Sequence, residues 1–230
     1  MEFQKVNPGT EVMRNLLQGG YEKDVITTIY GPGGSGKTNF AILVTIEMIK
    51  KGKKVIFIDT EGSFSIERFK QLCPEYEKYI ESIFFLKPTT FAEQQKVFEK
   101  LKILVNDNIG LIVLDTVAML YRLELGRTDN FYAINKSLGQ QLSYLSEIAR
   151  KRSIPVLITN QVYADFENKN KVNMVGGDIL KYSSKCLIEL QSLHGSNRLA
   201  ILRKHRSLPE KKVMFDIKED GLYEKEKNII

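Results

Sequence analysis

At 230 residues with 43% hydrophobic content, the chain is long enough to bury one well-filled α/β core and too short for two, so one domain over residues 1–230 is expected. Its longest apolar runs are strand-sized, which excludes a membrane span, and the start from Met1 to Lys5 holds no stretch resembling a signal peptide. The net charge of +6 and pI of about 9.1 are compatible with a polyanionic partner without by themselves pointing to one.

Strand-like and helix-like runs alternate from Val25 to Asn160. Residues 25–30 are short and β-branched, and a glycine-rich turn follows. The pattern predicts a buried helix over 37–51, ended by Gly52, and a strand over 54–59. A short helix over 65–72 stops before Pro74. Next come a strand over 82–86 and a helix over 91–105 with Val97, Leu101 and Leu104 on one face. The run 109–115 is continuously apolar up to Asp115, as a strand covered on both faces requires. Ile134, Leu138, Leu142, Leu145 and Ile148 recur at helical spacing and predict a helix over 131–151. Another buried strand is expected over 155–160.

After Asn160 the grammar changes. Residues 163–177 are polar, and the remainder reads as an antiparallel meander with strands near 186–193, 199–203 and 213–217. The βαβ alternation implies a mostly parallel twisted sheet with helices on both faces, and the meander would extend one edge. Cys73 and Cys186 lie far apart and form no metal-like pair, so a reduced, cytoplasmic setting is expected. Between Gln161 and Lys212, ten Lys/Arg face five acids, which concentrates positive charge in the C-terminal third. A solvated lysine-rich surface is the competing reading of that charge.

Gly31, Pro32, Gly33, Gly34, Ser35, Gly36, Lys37 and Thr38 satisfy G-x-x-x-x-G-K-[ST] between a predicted strand and helix. Backbone N–H groups of such a loop cradle a polyphosphate, and the helix start adds the positive end of its dipole. ATP and Mg²⁺ are therefore the expected ligands. Lys37 would meet the β- and γ-phosphates, with Thr38 and Asp115 holding the metal. Glu61, in Asp59-Thr-Glu-Gly62, would face the γ-phosphate as the general base. No Asn-Lys-x-Asp element follows a strand, which argues against a GTPase.

Four segments, Gly31 to Thr38, Phe57 to Phe64, Leu114 to Val117 and Ile158 to Val162, together resemble the ATPase core of RecA-family recombinases, especially their archaeal and eukaryotic branch. The resemblance continues through Gly176-Gly177 and Leu208-Pro-Glu210 and implies a RecA-type P-loop NTPase core. It implies further roles: Arg68 packed on adenine, and Gln161 as the γ-phosphate sensor that works with Glu61 and Lys37; Asn39, next after Thr38, joins the cofactor-binding residues. It assigns 121–130 to a first DNA-binding loop with Arg122 and Arg127, and 162–177 to a second with Lys169 and Lys171. Tyr163 and Phe166 lie in that second loop, where stacking on bases competes with packing onto their own domain.

The departures matter as well. The core begins by Val6, without the helical N-terminal domain of the recombinases, and the position that carries an acid facing a neighbouring subunit's ATP holds Lys204. Lys204 is thus the candidate to replace a monovalent cation across a subunit interface. The pattern fits a truncated paralogue: an ATP-binding, DNA-binding accessory of homologous recombination and repair, with weak hydrolysis and no strand exchange of its own. Its partners would be single-stranded or branched DNA, a recombinase or other recombination proteins, and further copies of itself. A RecA-type regulatory ATPase acting on protein partners, and a mediator switched by ATP without hydrolysis, are the rival readings.

Overall fold

The computed structural model describes residues 5–164, 172–193 and 195–225. A two-stranded antiparallel ribbon, β1 (Lys5–Val6) and β2 (Tyr21–Glu22), brackets helix α1 (Glu11–Leu17). Thr10 caps α1 by accepting from the Val12 N–H, and its own hydroxyl donates to the Leu222 carbonyl at 3.0 Å. That bond ties the first helix to the far C-terminal strand.

The main sheet starts with β3 (Ile26–Gly31), followed by α2 (Lys37–Lys50) and β4 (Lys54–Asp59). Helix α3 (Ile66–Leu72) and two short 3-10 turns lead to β5 (Ile83–Leu86), and α4 (Phe91–Leu104) leads to β6 (Ile109–Asp115). Helices α5 (Met119–Leu125) and α6 (Phe131–Arg152) precede β7 (Val156–Ala164) and β8 (Val172–Met174). The chain finishes with α7 (Gly177–Ser183), β9 (Cys186–Ser192), β10 (Arg198–Lys204), β11 (Lys211–Ile217) and β12 (Leu222–Glu224).

In space the strands run β12-β11-β10-β9-β3-β7-β6-β4-β5, with β8 paired to β7 off this line. Strands β9, β3, β7, β6, β4 and β5 are mutually parallel, while β10 to β12 continue as antiparallel neighbours. This is the RecA-like architecture: a mostly parallel sheet extended by antiparallel C-terminal strands. Among the described residues no helix is long and apolar enough to cross a membrane.

The apolar run of β6 divides between two cores. Leu111 and Val113 join Phe40 of α2, Phe57 and Leu157 on one face. Ile112 and Leu114 join Leu101 of α4 and Leu138, Leu142 and Leu145 of α6 on the other. Alternation along a pleated strand explains why every residue of 109–115 is buried. Helix α2 crosses the sheet from β3 to β4, passing β7 and β6. The carboxyl ends of those four strands therefore form one edge beneath the start of α2, where ligands settle in open α/β sheets.

Several elements differ from the sequence expectation. The polar segment 163–177 is not all loop, because β7 runs on to Ala164, pairs antiparallel with β8, and Gly177 opens α7. The segment 121–130 begins inside α5, where Tyr121 is buried and its hydroxyl donates to Asn135 Oδ1 at 2.5 Å. Both helices are seven residues long, too short to hold without tertiary packing.

Candidate functional site at the carboxyl edge of the sheet

The turn from Gly31 to Gly36 leaves β3 and enters α2. Gly34 and Gly36 sit at φ of 71° and 104°, which side chains rarely tolerate. A Cβ at Gly31 would lie 2.4 Å from the Leu190 carbonyl oxygen, so β9 excludes any side chain there. Helices α1, α3, α4 and α6 are capped by the side chains of Thr10, Ser65, Thr90 and Asn130. Helix α2 starts at Gly36 with no side-chain cap. Its first N–H groups are available to an anion, and the dipole favours one. Around Gly33 and Gly34 nothing stands within 4 Å of a notional Cβ, leaving room above the loop. The Ser35 hydroxyl is buried without a partner among the described residues.

Lys37 is buried, and its ammonium donates to the carbonyls of Gly31 at 2.9 Å and Pro32 at 2.8 Å. Burial holds its pKa below the usual lysine value, against the opposing pull of the Glu61 and Asp115 carboxylates. Asn39, one turn into α2, accepts from Arg68 Nε at 2.6 Å. Arg68 is also fixed by the carbonyls of Lys218 and Glu219 at 2.9 and 2.7 Å, so α3 and the β11–β12 turn meet beside the loop.

Asp115 ends β6 and is almost fully buried. One carboxylate oxygen accepts from Thr38 Oγ1 at 2.8 Å and Ser63 Oγ at 2.7 Å, and the other accepts from Thr159 of β7. The peptide between Asp115 and Thr116 is cis. Asp59 accepts from the Ser63 and Phe64 N–H groups and so shapes the turn that brings Ser63 to Asp115. The described residues contain no group of three or more His, Cys, Asp or Glu able to hold a metal. A threonine hydroxyl beside one carboxylate is instead the donor set of an Mg²⁺ ion that takes its remaining ligands from phosphate and water. The cradle and this pair together fit a magnesium nucleotide.

Glu61 lies just beyond β4. Its Oε1 accepts from Gln161 Nε2 at 2.7 Å and Thr116 Oγ1 at 3.1 Å. Burial raises its pKa above the usual glutamate value and the Asp115 charge adds to this, while Thr116, Lys37 and Gln161 pull the other way. Gln161 stands opposite Gly31 in the β3–β7 register, and its carbonyl accepts from the Val175 N–H at 3.2 Å. One residue thus touches the acid beside the loop and the residue that follows β8.

The sequence-predicted residues Lys37, Thr38, Glu61, Asp115 and Gln161 therefore converge, with Asn39 and Arg68 adjoining. Arg122 and Arg127 are exposed. Arg122 lines a cavity of about 240 Å³ with Met119, Leu123, Gln161 and Val175. Lys169, Lys171 and Phe166 lie outside the described residues, and Tyr163 is 47% exposed on β7. Lys204 stands apart, its ammonium donating to the carbonyls of Lys181 at 2.7 Å and Ser184 at 2.8 Å at the end of α7. Sequence reasoning missed Ser63 and Thr159, and placed Thr116 beside Asp115 without its contact to Glu61. Each lies within a motif segment, yet hydroxyl residues after a strand are too common to single out.

The Rad51 family model matches residues 1–225. A DNA repair and recombination protein RadB from Methanobrevibacter smithii is 40% identical over 223 residues, covering 94% of each chain. RadB of Methanocaldococcus jannaschii is 42% identical over 213 residues, covering 92% of this chain and 98% of that one. A solved structure of the RadB recombinase matches with a TM-score of 0.82 at 35% identity, over 96% of this chain and all of that one. On the sequence and on the fold alike, the chain belongs to the Rad51 family, among its RadB proteins of DNA repair and recombination.

Proposed function

We propose that the protein binds ATP with Mg²⁺ at this edge, hydrolyses it slowly, and uses the bound state to act on DNA as an accessory of recombination and repair. The observation that carries the reading is the convergence of Thr38 on Asp115 and of Gln161 on Glu61 beside an uncapped helix start. The nucleotide, when bound, supplies the phosphoanhydride, and Mg²⁺ supplies charge that offsets its oxygens. Lys37 gives its ammonium to the phosphates, and the first N–H groups of α2 surround them. Thr38 and Asp115 would hold the metal. Ionised Glu61 takes the proton of an attacking water, and Gln161 with Thr116 fixes the orientation of that carboxylate.

Gln161 continues into the β7–β8 hairpin, which makes the second loop the natural reader of the nucleotide state. Arg122, Arg127, Lys169 and Lys171 would supply phosphate contacts to single-stranded or branched DNA, with Tyr163 able to stack on a base. Copies of the chain, or a recombinase, would be its protein partners, with Lys204 reaching a neighbour's nucleotide if copies stack. Size analysis with and without ATP and single-stranded DNA tests this reading. ATP-dependent DNA complexes that weaken with salt and with Arg127→Ala support it. DNA affinity indifferent to both contradicts it.

A further inference from the structure

The turn between β9 and β10 reaches back to the phosphate loop through one side chain. Arg198, half-buried at the start of β10, donates from Nε to the Gly34 carbonyl at 3.2 Å and from Nη1 to the Ser196 carbonyl at 2.7 Å. Among the described residues it is the one side chain from outside 31–38 that hydrogen-bonds to the loop backbone between Pro32 and Gly36. The turn behind it is braced. Leu193 N–H closes it on the Asn197 carbonyl at 2.9 Å. Lys225 donates to Asn197 Oδ1 at 2.7 Å and pairs with Asp216 of β11 at the same distance.

The bond to Gly34 sits at a sensitive place. Gly34 has a positive φ and no neighbour within 4 Å of a notional Cβ, so the Gly34 side of this peptide has no side-chain packing to hold it, although Ser35 beyond it is buried. A peptide unit is planar, so pinning the Gly34 carbonyl also pins the Ser35 N–H on its opposite side. That N–H donates to the Pro32 carbonyl at 3.3 Å, a long bond that alone would hold the apex loosely. A charged donor on the outside and the Pro32 carbonyl on the inside together set one orientation. The N–H groups that follow at the start of α2 then face the site before any ligand arrives, and a preorganised loop binds more tightly than one ordered on binding.

We propose that Arg198 is a positioning residue of the nucleotide site, clamping the Gly34 peptide so that the loop is preset for phosphate. The inference rests on the nucleotide reading above and assigns the C-terminal meander a part in it. Mg-ADP titrated calorimetrically into the wild-type chain and its Arg198→Leu and Arg198→Lys variants tests it, together with the unliganded melting temperature of each. Arg198→Leu keeps bulk and loses the donor. It should weaken Mg-ADP by about tenfold while melting with the wild type. Arg198→Lys, which retains a charged donor, should recover most of the loss. Wild-type affinity in Arg198→Leu, or a lysine variant no better than the leucine one, overturns the proposal and leaves nucleotide binding intact. A wild-type chain that takes up no Mg-ADP overturns both.

Discussion

Gln161 and Glu61 are joined at 2.7 Å over the end of β6, the strand that lies between theirs in the sheet. Thr116, just past β6, donates to the same Glu61 oxygen, so three strand ends converge on one atom. Both donors favour the ionised carboxylate, against a burial that disfavours it. Removing the Gln161 donor therefore raises the Glu61 pKa further. Gln161→Ala should move the acid limb of the hydrolysis pH profile to higher pH with little change in ATP affinity. An unmoved limb would show that the contact does not tune the base.

Glu61→Gln separates chemistry from binding. ATP should still bind while hydrolysis falls by about 10²-fold or more. The variant also tests linkage. A carboxyl whose folded pKa is raised contributes stability that is full below its ordinary value of 4.5 and lost as pH rises through the folded value. Glu61→Gln does not suffer that loss. Urea denaturation should find it matched to the wild type near the low end of that window and more stable at neutral pH. Equal stability throughout would contradict the raised pKa.

Lys204 closes the C-terminal end of α7 with two carbonyl bonds, where a cation also meets the negative end of the helix dipole. Lys204→Ala should cost on the order of 1 kcal/mol in stability. If the ammonium also serves a neighbouring copy's nucleotide, Lys204→Asp should make ATP-dependent assembly require K⁺. The wild type should be indifferent to replacing K⁺ by a bulky organic cation. A wild type that already depends strongly on K⁺ would leave Lys204 with the helix end alone.

His205 has a side chain only 1% exposed, and its Nδ1 accepts the N–H groups of Ser207 and Leu208, each at 3.2 Å. Its Nε2 lies 3.8 Å from Glu22, which favours the cation, but burial prevails and pushes the pKa below 6.5. The unfolded chain then binds the proton first. Stability from this group is full above 6.5 and lost as pH falls toward the folded value. His205→Gln should flatten the pH dependence of urea stability just below 6.5. An identical slope in both proteins would contradict the assignment.

The glycine-rich turn after β3 and the ends of β4 and β6 at Asp59 and Asp115 are legible in the sequence because each signal is local. Glycines are demanded by a turn, and carboxylates terminate the apolar runs of β4 and β6. Strands 54–59 and 109–115 carry their bounds in their own composition, with a lysine or asparagine before and an aspartate at the end. Helix α7 could not be read this way, since seven residues opened by Gly177 have no helical signature. Leu180, packed into the α6 core, and Lys204 hold it from outside. The extension of β7 to Ala164 was hidden for a similar reason: its partner, β8, begins only after seven intervening residues. The pairing of Asp115 with Thr159 and Ser63, and of Arg198 with Gly34, depends on strand order, which no local pattern encodes.

The most direct test of the account is a calorimetric titration of Mg-ATP into the wild-type chain and Lys37→Ala. Lys37 is buried against the loop carbonyls, and its ammonium is the cation at the start of α2. The wild type should bind, and Lys37→Ala should lose binding with its circular dichroism spectrum intact. Unchanged nucleotide affinity in a folded Lys37→Ala protein would contradict the assignment of this edge as an ATP site.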